Sequence, residues 1–75
     1  QILPAGILKT EGSYNKGDLI YVVNSEDKII GKGLSHYNNN EVNLVKKMRS
    51  DKIEKVLGYR GKDEIIHIDD FVLEN

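Results

Sequence analysis

Two histidines, an arginine between glycines and a pair of adjacent aspartates are the residues of this chain whose types could do chemistry. Catalysis needs a positioned nucleophile with a base, or a metal, and only His36 and His67 offer an imidazole. His67 lies in Ile65-Ile66-His67-Ile68, the setting of a half-buried strand histidine rather than of a general base. His36 stands just before a helix start, where a structural hydrogen bond is the simpler role. Neither has the paired spacing of a zinc helix. Asp69 and Asp70 are adjacent, so on a strand they point to opposite faces and do not easily share a proton or an ion. A turn with Asx or capping geometry accounts for them better. Gly58-Tyr59-Arg60-Gly61 lacks the Gly-Lys-Ser/Thr of a phosphate loop. Arg60 is suited either to a bidentate bond with phosphate or to a bridge with Asp63 or Glu64. These patterns predict no catalytic residue, no metal site and no cofactor within the chain.

Charge is distributed more informatively than chemistry. The net charge is −1, yet residues 46–62 hold Lys46, Lys47, Arg49, Lys52, Lys55, Arg60 and Lys62 against only Asp51 and Glu54. Residues 63–75 then hold only acids: Asp63, Glu64, Asp69, Asp70 and Glu74. Such asymmetry fits an anionic partner on one side. It also fits solvated helix faces with an acidic tail folded nearby, the ordinary fate of lysine and arginine. For nucleic acid, the basic run would supply phosphate contacts, and Tyr37 and Tyr59 could stack unpaired bases. Against that, a pI near 6.1 lacks the broadly basic character of such modules, and buried tyrosines more often serve a core or a cap.

The elements that must position these residues fit one small domain of 75 residues, close to the smallest size a single core stabilises. No cysteine is present, so disulfides and thiolate metal sites are excluded. The apolar runs are far short of the roughly 20 residues a spanning helix needs, and a cytoplasmic location without membrane contact is the expectation. The opening Gln1-Ile2-Leu3 has no initiator methionine and predicts a piece of a longer chain.

Pro4-Ala5-Gly6 reads as a tight turn feeding a first strand through Ile7-Leu8. A second strand is expected over 18–24 and a third over 28–34, joined by the polar loop Asn24-Ser25-Glu26-Asp27-Lys28. The continuous run Leu19 to Val23 suggests partial cover on both faces. Gly31 and Gly33 fall on one face of their strand and leave a bare patch, to be filled by another backbone, a bulge, a ligand or close packing across a small barrel. Asn38 and Glu41 have capping-box spacing, with Tyr37 and Val42 placed as a hydrophobic staple. Val42, Leu44, Val45 and Met48 then form an apolar stripe, with Lys46 and Lys47 at the helix C-terminus. A second helix is expected from Ser50, with Asp51 in its first turn and Gly58 as its left-handed stop. Glu64–Ile68 reads as a strand, Asp69-Asp70 as a turn and Phe71–Leu73 as the last strand. The predicted class is α+β, mainly β with short helices, a partly open barrel with element order β-β-β-α-α-β-β.

Leu3-Pro4-Ala5-Gly6-Ile7, Gly17-Asp18-Leu19-Ile20-Tyr21-Val22 and Ile30-Gly31-Lys32-Gly33-Leu34 resemble the successive signatures of the PUA domain family. More specifically, Leu57-Gly58-Tyr59-Arg60-Gly61 with Asp63-Glu64-Ile65-Ile66-His67 and Asp69-Asp70 is similar to the C-terminal end of the bacterial glutamate 5-kinase family. The resemblance implies a PUA-like pseudo-barrel over residues 1–75 that lacks the usual first strand and helix, with a kinase domain upstream. It implies a parent enzyme that transfers the ATP γ-phosphate to glutamate in the first step of proline synthesis. ATP and Mg would then belong to that kinase domain. The segment itself would be a regulatory or assembly module contacting its own kinase domain or a neighbouring subunit. The alternative implied by RNA-modifying relatives is a module for structured RNA. Its candidate anion-binding residues are Pro4, Ala5, Gly6, Lys46, Lys47, Arg49, Lys52 and Arg60.

Overall fold

A computed structural model describes residues 2–59, 61–67 and 71–73. A 3-10 turn at Pro4–Gly6 precedes β1 (Leu19–Val23), β2 (Ile29–Leu34), α1 (Asn39–Val45), α2 (Ser50–Leu57) and β3 (Phe71–Leu73). The strands form one antiparallel sheet in the order β1-β2-β3. The α+β class with short helices and an antiparallel sheet is as expected.

The β1–β2 hairpin turns through Asn24, whose side-chain oxygen accepts the Glu26 and Lys28 amides at 2.9 and 3.1 Å. A bulge at Val22/Val23 closes its far end. Alternation sends Ile20 and Val22 toward the core and leaves Leu19, Tyr21 and Val23 outside. The outer face carries the exposed side chains, Leu19, Tyr21 and Val23 keeping about half of their surface open. Gly31 and Gly33 are buried on the inner face. A Cβ on Gly31 would stand 2.6 Å from Phe71 Cε1 and 3.0 Å from the Val72 carbonyl oxygen. The bare patch is thus filled by an aromatic ring from β3.

Two expected strands do not form ladders. Pro4 has no N–H, and its carbonyl accepts both Ile7 N (3.1 Å) and Lys47 N (2.7 Å). This winds Pro4–Gly6 into a 3-10 turn, and residues 7–10 continue without pairing. Residues 64–67 are pinned from two sides: Ile2 exchanges backbone bonds with Ile65 and Ile66, while His36 N donates to Ile65 O at 2.8 Å. Their strand character is confined to the Ile2–Ile66 bridge. Ile68 and the Asp69-Asp70 turn lie outside the described residues.

The helices follow their caps. Asn38 Oδ1 accepts Glu41 N at 2.8 Å, and Glu41 Oε1 accepts Asn38 N at 3.0 Å, the reciprocal capping box. Tyr37 and Val42 flank it and are both buried. α1 ends at Val45, earlier than its apolar stripe, because Lys47 takes φ +66° to reach Pro4. Met48 packs on the core from beyond the helix, and Leu44 stays exposed. α2 starts at Ser50 and stops at Gly58 with φ +80°, its N–H on Glu54 O.

The core is Tyr37, Val42, Val45, Ile53, Ile65 and Ile66. Tyr37 is its largest member, and its ring lies against Gly61: a Cβ there would come within 3.0 Å of Tyr37 Cε1 and Cζ. Gly61→Ala is therefore expected to cost about 1–3 kcal/mol. Gly6→Ala, which meets nothing within 4 Å, should leave stability nearly unchanged. Chemical denaturation of both variants checks this, and equal losses would show that Gly61 is not packed as described.

Candidate anion-binding surface and tyrosine pocket

The hydrogen bond from Lys47 N to Pro4 O assembles part of the expected surface, because it ties the 3-10 turn to the link between the helices. Pro4 is buried, while Ala5 and Gly6 are exposed. Lys47, Arg49 and Lys52 are exposed as well, with Lys46 half-buried and its Nζ 2.7 Å from Asn43 Oδ1. Arg49 caps α2 through its backbone alone. An open groove of about 440 Å³ runs between Leu3, Ala5, Arg49 and Asp51. Asp51 Oδ1 stands 3.9 Å from Arg49 Nε and offsets part of its charge. Residues distant in sequence thus meet here, Pro4 with Lys47 and Ala5 with Arg49 and Asp51. Arg60 lies outside the described residues. Among the described residues this surface presents ammonium and guanidinium groups of the kind that pair with anions.

A second cavity was not foreseen. Lys16, His36, Tyr37, Tyr59, Gly61 and Lys62 line an open pocket of about 350 Å³. Its members come from three separate turns, so no local spacing could reveal it. Both phenols are committed: Tyr37 OH donates to the Lys62 carbonyl and Tyr59 OH to Glu41 Oε2. Glu41 therefore serves α1 with one oxygen and the turn after α2 with the other. The donated bond to Glu41, with smaller effects of burial and charge, pushes the Tyr59 phenol up to about 12. Burial, followed by the charges of Glu41, Asp63 and Glu64, raises Tyr37. His36 stacks on His67 with ring centroids 6.3 Å apart and planes 26° from parallel. His67 Nε2 also stands 3.8 Å from Glu64 Oε1. Both histidines are thus used in packing and local pairing. Among the described residues no group of three or more His, Asp or Glu side chains is placed to hold a metal ion.

Comparison with known families decides what this fold is. The PUA domain model matches residues 1–57. The chain belongs to the PUA domain family. Similarity to curated proteins extends past Leu57, over nearly the full segment. A glutamate 5-kinase of Thermoanaerobacter sp. (strain X514) is 44% identical over 72 residues, which is 96% of this chain and 19% of the relative. That of Caldanaerobacter subterraneus subsp. tengcongensis is 43% identical over 96% of the chain and 19% of the relative. That of Paramagnetospirillum magneticum is 40% identical over 97% of the chain and 20% of the relative. This PUA domain thus spans about a fifth of the length of the relatives it matches. Among the described residues no helix is long and apolar enough to cross a membrane.

The Tyr59–Glu41 bond sets a pH window. Tyr59 in the unfolded chain ionises near 10 and in the folded domain near 12. A raised phenol contributes stability that is complete below pH 10 and is lost as pH rises from 10 to 12. The stability difference between the native protein and Tyr59→Phe should be constant below pH 10, about 1 kcal/mol or less at this exposed site. It should disappear by pH 12. Denaturation at a series of pH values measures it, and a difference that persists at pH 12 would mean the phenol does not hold Glu41.

Proposed function

We propose that this PUA domain is the regulatory and assembly module of a glutamate 5-kinase. The parent enzyme would convert ATP and L-glutamate to ADP and L-glutamyl 5-phosphate in the cytoplasm, the first step of proline biosynthesis. The observation that carries the reading is the 40–44% identity to glutamate 5-kinases across almost the entire chain. A PUA fold alone would be compatible with many parents. ATP and Mg would be held by the remaining polypeptide, and the domain would contribute no catalytic residue. Its partners would be its own kinase domain or a neighbouring subunit. Deleting the domain from the full-length enzyme is expected to leave kcat for glutamate phosphorylation essentially unchanged. It should shift inhibition by proline about tenfold, a coupling of roughly 1.4 kcal/mol. Steady-state kinetics with and without the domain decide it. Abolished phosphoryl transfer in a folded deletion variant, or unchanged inhibition, would contradict the reading.

RNA binding is the second reading, supported by the juxtaposition of Pro4–Gly6 with the basic link through the Lys47 amide. Lys47 supplies a clean probe, since its φ of +66° is one glycine adopts without strain. Lys47→Gly removes the charge and retains the fold. If the surface grips structured RNA, the log–log salt slope should be near −0.7 to −0.9 per phosphate contact, and Lys47→Gly should reduce it by about one contact. Salt-insensitive or undetectable binding of transfer RNA excludes this reading.

A further inference from the structure

The outer face of the sheet has a composition that solvent does not explain. The strand pairings Leu19–Leu34, Tyr21–Lys32–Val72 and Val23–Ile29 place these seven side chains on one side. Six of them are apolar, and they are between 44% and 59% exposed. Single apolar residues scattered over a surface are ordinary, but a contiguous set on one face marks an interaction site. The edge adds a second observation. Within the described sheet β1 has one free edge, and Leu-Ile-Tyr-Val-Val carries neither a charge nor a proline to blunt it.

Resting on the glutamate 5-kinase reading above, we propose that this face, centred on Tyr21, is the surface by which the domain docks on the remainder of its own polypeptide. The length relation favours that occupant. The relatives carry the matching segment within chains about five times as long. A tethered partner is held at millimolar effective concentration by its linker, so an apolar contact forms without a separate association step. A second copy of the domain would have to associate from solution, at a cost that a tethered partner avoids. The face is also remote in kind from the basic surface, since Lys32 is its one charged member. The occupant is accordingly an apolar surface of the kinase portion, with main-chain groups available to meet the free edge of β1.

The test uses the full-length enzyme and side-chain oxidation by hydroxyl radicals, read by mass spectrometry. Tyr59 and Leu8 are the internal references, since both are exposed here, Leu8 at 68%. Docking predicts that Tyr21 and Leu34 are oxidised at least five times more slowly than Tyr59 and Leu8, at every protein concentration. Tyr21 oxidised as fast as Tyr59 overturns the proposal, and so does protection that fades on dilution, which would identify a second copy. The parent reading is scored separately by glutamate phosphorylation in the same sample. An active enzyme with an unprotected face refutes the docking surface alone, whereas an inactive one refutes the glutamate 5-kinase assignment.

Discussion

Tyr37 is the constraint on which the rest of this domain depends. It follows β2, precedes the N-cap of α1 and is the largest residue wholly inside the core. Its backbone is locked to Ser35, whose Oγ donates to Tyr37 O at 2.6 Å and accepts Tyr37 N at 3.3 Å. Its hydroxyl crosses to the Lys62 carbonyl, and its ring requires glycine at 61. One side chain therefore joins the sheet, the first helix and the segment that carries Ile65 and Ile66. A buried hydroxyl with a single acceptor specifies position more strictly than an apolar ring would, because leaving either partner unpaired is costly.

From that anchor the surfaces follow. The inner side of the sheet is fully used, with Phe71 over Gly31 and with Ile20 and Val22 against the core. The outer side then has no cover within the described residues. On the helical side, the early end of α1 lets Lys47 reach Pro4, which sets the 3-10 turn beside the basic link. The domain thus separates an apolar face on the sheet from a cationic face at the helix link. Among the described residues neither face brings a nucleophile and a base together.

How much of this was legible in the sequence depended on range. The Asn38–Glu41 box, the start of α2 at Ser50 and the stop at Gly58 were readable because each is decided within four residues. The hairpin over 19–34 was readable from its β-rich runs and its polar loop. The glycine pair announced a close approach but not its filler, since Phe71 lies about 40 residues away. The strand expected after Pro4-Ala5-Gly6 failed for a similar reason: residues 7–10 form no ladder among the described residues, and pairing is decided by partners far along the chain. The tyrosine pocket was invisible because Lys16, His36 and Lys62 meet only through the fold. Exposure of Leu19, Tyr21 and Val23 also escaped, since an apolar run reads the same whether its second face meets core, partner or solvent. Of the expected anion-binding residues, Arg60 lies outside the described structure, Lys47 meets Pro4 through its backbone, and Ala5 and Arg49 line one groove.

Tyr37→Phe tests the anchoring role most directly, because it removes one oxygen and preserves the ring against Gly61. Equilibrium denaturation of the variant should show a loss of about 0.5–1.5 kcal/mol, the net worth of a hydrogen bond whose acceptor lies on an open pocket, with the sheet and helix signals intact below the transition. A variant as stable as the native domain would contradict the account, since the hydroxyl would then be dispensable to the joint between sheet, helix and closing segment.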